Sequence, residues 1–372
     1  MSMLIDPERI TYARELKGFS KKDLAQKVDK TPSAISQIEK SIIRPDTETL
    51  MRISLALSVP PSFFAKKEGR RYINLGQCHF RSKRSVSQAK RKQSVRIGDF
   101  FIEFVDFLQQ QGIVFPEEKL SGFQSFQPKS MEDIEIVAAE LRRSWGMSLG
   151  PIPNVTRLLE SKGIIVTPIY NSCTEVDAFS VWAGKRPWVM LALGKTASRA
   201  RFDAAHELGH LVLHEEHTPG CSLTENEADR FAGAFLAPRD SFILECPRRW
   251  DYEAFEKLKL RWKMSIQALV YRAYNLGVLS QHSLRKAFIS ISQSGQRKDE
   301  GTEWAKEQPT LFNQALELIC DKVSLNEIAS SLCVSKADLI GYLNDAISED
   351  LLARLDKKGE DQNGQLVFLR ES

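Results

Sequence analysis

Cysteine is scarce and unpatterned in this 372-residue chain. Cys78, Cys173, Cys221, Cys246, Cys320 and Cys333 are scattered, with no CxxC pair. That spacing argues against a disulfide-stapled scaffold and against a cysteine-ligated zinc site, and fits reduced thiols. Long apolar runs are also missing. No segment approaches about 18 uninterrupted apolar residues, and the N-terminus lacks the apolar core of a signal peptide, so a cytoplasmic protein with no membrane partner is expected. Net charge is small as well, only +4, but the total hides an asymmetry: residues 1–96 hold 21 Lys and Arg against 9 Asp and Glu. The basic end should meet a polyanion. At 42% hydrophobic residues the chain can build real cores, and its length suits two or three domains.

Within the basic part, residues 5–65 read as five short helices. Ser20 can cap a helix running to Val28, with Leu24, Ala25 and Val28 inward; Asp29-Lys30-Thr31 turns; Pro32 opens a second helix that buries Ile35 and Ile38. Thr31, Ser33, Ala34, Ser36, Gln37 and Lys40 are left outward at the start of that helix, where they suit base edges of double-stranded DNA. Lys21, Lys22 and Arg44 suit phosphates. A helical bundle with a solvated charged face is the plain alternative.

The densest chemistry lies at His206-Glu207-Leu208-Gly209-His210. Residues four apart share a helical face, so both imidazoles can bind one Zn2+ while Glu207 stands at the open coordination position as general base. A chance pentapeptide with two core histidines is the alternative, so a third ligand is needed. Ser222–Leu236 reads as a second amphipathic helix, stopped by Pro238, whose inward face carries Glu225, Ala228, Asp229, Ala232 and Leu236. Small Ala232 and Gly233 should let it approach the first helix closely. Glu225 is then the third ligand, with Asp229 one turn on to fix a histidine tautomer. Glu227 competes, and either Glu has a capping role open to it through Thr224 or Ser222; the facing argument favours Glu225. His214 is an alternative ligand or a supporting histidine, and His217 falls in the exit loop. The sequence assigns no electrophile for a tetrahedral intermediate.

Helices at about 131–146 and 153–162 precede apolar runs at 163–169, 178–182 and 188–193 that read as a small sheet, whose edge could hold an extended peptide by backbone hydrogen bonds. Residues 66–98 form a basic run, either a solvated linker or added phosphate contacts, and the Phe-rich segment 97–111 reads as a buried helix. After a polar linker at 290–303, a last helical unit contains Leu325-Asn-Glu-Ile-Ala-Ser-Ser-Leu-Cys-Val-Ser335, which could be another helix-turn-helix; its acidic neighbours Asp345, Glu349 and Asp350 argue for protein contact instead.

Two resemblances follow from these residues. Leu24–Lys40 with Arg44–Leu50 resembles the phage-repressor (XRE) helix-turn-helix domain, with Ser41 at the usual Gly position. Val176-Asp-Ala-Phe-Ser180, Arg201–His210 and Glu225–Ala232 resemble the ImmA/IrrE-type metallopeptidases, often joined to such a domain, over roughly 130–245; Met264–Gly277 resembles their helical tail. The second resemblance implies zinc on His206, His210 and Glu225, catalysis by Glu207, and a repressor protein as substrate in a phage, mobile-element or stress circuit. The expected fold is multidomain and mainly α. It comprises a five-helix helix-turn-helix domain (1–65), a basic linker and helical connector (66–125), a central α+β zincin-like domain with a small sheet (126–285), and a helical C-terminal region (304–372). A non-proteolytic transcription factor, or an antitoxin whose zinc-like domain senses a signal or binds a partner, is the alternative function.

Overall fold

The computed structural model describes residues 4–65, 73–82, 87–123, 126–169, 176–192, 194–214, 221–295, 301 and 303–363. The N-terminal helices are α1 (Pro7–Leu16), α2 (Lys21–Lys27), α3 (Pro32–Glu39) and α4 (Thr47–Leu57), and the fifth element is a single 3-10 turn at Pro61–Phe64. Side-chain caps set each start: Asp6, Ser20, Thr31 and Asp46 accept from the first-turn backbone, and Ser20 forms a full capping box with Asp23. Ser41 takes a left-handed φ of 60°, doing the work of a glycine after α3.

A short strand, β1 (His79–Ser82), precedes α5 (Gln88–Gln110). The helix therefore begins inside the basic run. Lys92 and Arg96 pair with Glu15 of α1 at 3.2 and 3.0 Å, and Arg96 also holds buried Asp99 at 2.7 Å, so these cations are structural. Lys66, Lys67, Arg70, Arg71, Lys83 and Arg84 lie outside the described residues.

The central part runs α6 (Met131–Ser144), α7 (Val155–Ser161), β2 (Ile165–Ile169), β3 (Val176–Ala183), β4 (Arg186–Ala192), α8 (Ala197–Leu213) and α9 (Ser222–Leu236). Next come α10 (Arg239–Glu245), α11 (Tyr252–Trp262), α12 (Ile266–Asn275) and α13 (Gln281–Gln293), which carries helix into the expected polar linker. The C-terminal unit is α14 (Leu311–Glu317), α15 (Leu325–Leu332), α16 (Lys336–Leu343) and α17 (Glu349–Asn363). No helix among the described residues is long and apolar enough to cross a membrane.

The four strands order as β1-β3-β4-β2, with β1 and β3 antiparallel, β3 and β4 antiparallel, and β4 and β2 parallel. Alternation along the strands divides the protein. Ile165, Phe179, Val181, Trp188 and Met190 join one core with α5, the N-terminal helices and the C-terminal unit. Val166, Ala178, Val189 and Leu191 join the other with α6 to α9, α11 and α12. The sheet is thus a wall between two cores, one shared by the N- and C-terminal helices and the other by the central helices.

Against that wall α8 and α9 cross at a glycine. A methyl group on Gly209 would sit 3.2 Å from the Ala228 Cα and 3.1 Å from the Phe231 ring. Gly233, expected to make this approach, instead faces Arg272. Phe231 is fully buried and Ala228 Cα is backbone, so neither can yield. Gly209→Ala is therefore expected to lower stability by about 1 kcal/mol net, because overpacking of about 1–3 kcal/mol outweighs the gain of up to ~1 kcal/mol in helix propensity. A rightward shift of the urea midpoint would contradict it.

Candidate metal centre

The pentapeptide starting at His206 spans the third and fourth turns of α8, on a helix capped by Thr196 and buried from Ala204 to Leu213. Its spacing turns both imidazoles to one side, and α9 presents Glu225 opposite them. His206 Nε2 and His210 Nε2 are 3.1 Å apart. The Glu225 oxygens lie 3.4 Å from His206 Nε2 and 3.6 Å from His210 Nε2. These are the distances a shared ion demands: two zinc–nitrogen bonds of about 2.0 Å at the tetrahedral angle leave their nitrogens roughly 3.3 Å apart. Among the described residues, His206, His210 and Glu225 are the group of His, Cys, Asp and Glu side chains whose ligand atoms converge in this way.

The far side of each imidazole is also held. His206 Nδ1 donates to Asp229 Oδ1 at 2.8 Å, which leaves its Nε2 lone pair aimed inward. Behind His210 stands a longer relay. Glu227 Oε2 lies 2.8 Å from His214 Nε2, and His214 Nδ1 lies 2.9 Å from His210 Nδ1. A carboxylate only accepts, so His214 donates from Nε2 and accepts at Nδ1; His210 must then donate from Nδ1, and its Nε2 too is a bare lone pair. Two such lone pairs facing each other at 3.1 Å repel unless a cation sits between them, so the donor set fits a divalent metal.

Glu227, which the facing argument places second to Glu225 as a ligand, is thus drawn in through His214. The capping boxes expected at the start of α9 do not form: Cys221 takes the cap position without a side-chain bond, and the Thr224 hydroxyl donates to its carbonyl. His214 serves as support for His210, at 0% exposure, and His217 lies outside the described residues. Glu207 is fully buried and accepts 2.6 Å from Ser180 Oγ on β3, a partner that sequence periodicity could not pick out. Trp182 Nε1 donates to Leu211 O at 3.2 Å, a second tie from β3 to α8. Cys78 stands near, but burial, with the charges of Asp99 and then Glu207, pushes its thiol well above the ordinary range.

The outer edge of β3 is already taken. His79 pairs with Ser180, Phe80 with Phe179 and Arg81 with Ala178, so a peptide cannot add to β3 while β1 is in place. The strand was missed because four residues in a charged run carry too little alternation to read. A cleft of about 710 Å³ runs along α8 toward the metal donors, reaching Phe202, Asp229 and Tyr271.

On α3 and its approach, Lys22, Thr31, Ser33, Lys40 and Arg44 are exposed, and Ala34, Ser36 and Gln37 are partly so. Lys21 is drawn back into the chain, 3.0 Å from Ser36 Oγ and 3.4 Å from Glu39.

Residues 161–274 match the family described as the IrrE N-terminal-like domain (Peptidase_M78), and residues 10–64 match the helix-turn-helix family. The chain joins a helix-turn-helix domain to an IrrE-type domain. The first match spans β2 to α12 and so contains all of the converging donors. This make-up is that of a DNA-binding regulator bearing a metallopeptidase-type fold. A comparison with curated proteins finds no match.

The His214 relay supplies a direct test. His214→Phe keeps a planar ring but removes the acceptor for His210 Nδ1, and Zn2+ affinity measured against a chromophoric chelator is expected to fall about 10- to 100-fold. Unchanged affinity would mean the relay does not orient the ligand.

Proposed function

We propose that this protein is a DNA-bound zinc peptidase of the cytoplasm that cleaves, and so inactivates, a repressor protein. The observation that supports it is the convergence of His206, His210 and Glu225 on one point with Glu207 anchored beside them by Ser180. Zn2+ is the ion these donors suit, and when bound it supplies Lewis acidity that draws the pKa of a water toward neutrality.

Each chain residue then has a task. His206 and His210 offer neutral nitrogens because Asp229 and the His214–Glu227 pair hold their outer N–H groups. Glu207 takes the proton of the attacking water and returns it to the departing amide nitrogen. Ser180 keeps that buried carboxylate in one rotamer by donating its hydroxyl to it. The cleft beside Asp229, with Phe202 and Tyr271, offers apolar and aromatic contact to a polypeptide.

The N-terminal domain places this chemistry on double-stranded DNA. Thr31, Ser33, Ala34, Ser36, Gln37 and Lys40 line the face for base edges, and Lys22 and Arg44 flank it for phosphates, with Lys21 in a supporting place. Concentrating the enzyme at an operator puts it where a repressor also binds, which raises their effective concentration without a strong protein–protein interface.

Glu207→Gln separates the metal site from its reaction. The variant is expected to retain Zn2+ while losing cleavage of a co-encoded repressor by at least about 100-fold, since it removes the base but no ligand. Relief of repression equal to the unaltered protein's would rule out proteolysis as the mechanism.

A further inference from the structure

The Leu325–Ser335 stretch plays no part in the peptidase reading, and its geometry repeats that of the first helix-turn-helix at a constant numbering offset. Ser20 and Ser324 cap α2 and α15, each in a capping box, with Asp23 and Glu327. Leu24 and Ile328 are fully buried, and small Ala25 and Ala329 follow them. The turns then open on left-handed residues, Asp29 at φ 53° and Cys333 at φ 56°. The next N–H groups, of Lys30 and Val334, reach back to the carbonyls of Ala25 and Ala329 at 2.9 and 3.0 Å. Thr31 and Ser335 cap α3 and α16, and Ile35 and Leu339 fill the interior. Residues 311–357 are a second helix-turn-helix unit built like the first.

Its outward face does not suit DNA. The positions matching Ser33, Ala34, Ser36, Gln37 and Lys40 hold Ala337, Asp338, Ile340, Gly341 and Asn344, and those matching Lys22 and Arg44 hold Asn326 and Ser348. Residues 311–357 carry eight acidic against four basic side chains, which a phosphate backbone repels. Instead Asp338 holds Lys17, at the end of α1, at 2.6 Å in a largely buried pair. Tyr342 packs on Phe100 and Phe312 on Phe101 of α5, the helix against which α1 also lies, with ring centroids 4.8 and 5.3 Å apart.

From this unit the chain runs back as a strap to the peptidase half. Glu303 accepts from Ala197 N at 2.5 Å and Ser198 N at 3.3 Å, occupying the positive N-terminus of α8. Glu307 does the same for α7 at Val155 N and Thr156 N, at 2.7 and 2.9 Å, and pairs with buried Arg201 of α8. In return Glu160 of α7 receives Thr310 N and Leu311 N at the start of α14.

We propose that the second helix-turn-helix is a protein-docking module whose partner is the first, and that its strap makes duplex binding at α3 and metal binding on α8 depend on each other. A duplex that displaces α1 loads the Lys17–Asp338 pair, and the strap carries that load to the helix that presents His206 and His210. Linkage makes the effect mutual. The inference rests on the DNA and metal readings above but not on proteolysis, so a protein that never cleaves can still satisfy it.

The test uses the full chain and duplexes that it selects from a random pool. Duplex affinity is measured with the protein freed of metal and with Zn2+ bound. A change of at least about fivefold is expected. Glu303→Gln and Asp338→Asn should each bring that ratio to one while leaving zinc content in place and the chain folded; Asp338→Lys should do so with some loss of thermal stability, and Lys17→Asp combined with Asp338→Lys should restore the ratio. Ala337→Glu with Asn344→Glu should leave duplex affinity within about twofold, whereas Ser33→Glu with Lys40→Glu should abolish selection. A ratio of one in the unaltered protein, a ratio untouched by these single substitutions, or a large loss from the Ala337 and Asn344 pair would overturn the proposal. Failure to select any duplex would overturn it together with the DNA reading.

Discussion

Two imidazole nitrogens 3.1 Å apart, each left without a proton because a partner holds the N–H on the other side of its ring, set the terms for the central half of this protein. The arrangement is unfavourable without a cation and strongly favourable with one, so it has to be enforced by the surrounding packing. Enforcement comes from the tight crossing at Gly209 and Ala228, which fixes how far Glu225 stands from the histidines. It comes also from buried Glu135, which pairs with Arg230 of α9 at 2.7 Å and with Arg272 of α12, anchoring the back of α9. Removing both arginines would leave a buried carboxylate uncompensated, so this polar cluster fixes geometry more than it adds net stability.

The sheet gives the same site its second boundary. Ser180 points through to Glu207 while its neighbours Phe179 and Val181 point the other way into the α5 core. One strand therefore contacts both the Glu207 carboxylate and the scaffold of the helix-turn-helix half. β1, contributed by the connector between the two halves, closes the edge of that strand. The connection between the halves and the placement of Glu207 are consequently not separable properties here.

Much of this was legible from residue spacing. The HExxH period, the inward face of the second helix and the phenylalanine stripe of α5 all express the helical repeat, which is local and needs no partner to be recognised. Glu225 could be preferred over Glu227 by facing alone, and the three main strands announced themselves by β-branched and aromatic content. Other features left no such trace. Glu227 was read as pointing away, because its role depends on His214, whose own position is set by the end of α8. Lys21 was assigned to phosphate, but Glu39 and Ser36, distant in sequence by more than a turn, claim it in the fold. Arg96 sat in a basic run that resembled a linker, yet Glu15 and Asp99 make it part of the interior.

By itself, then, the order of residues determined which side chains share a helical face, where the capped helices of the N-terminal domain begin, and that two imidazoles would stand on one side of a helix. Those outcomes depend on contacts within about one turn. Only the tertiary structure decided that Glu227 supports the site through His214, which serine holds Glu207, that a stray tetrapeptide caps the sheet, and that the last helices copy the first and grip them. Each of these joins groups brought together by burial rather than by period, and burial is a property of the whole chain.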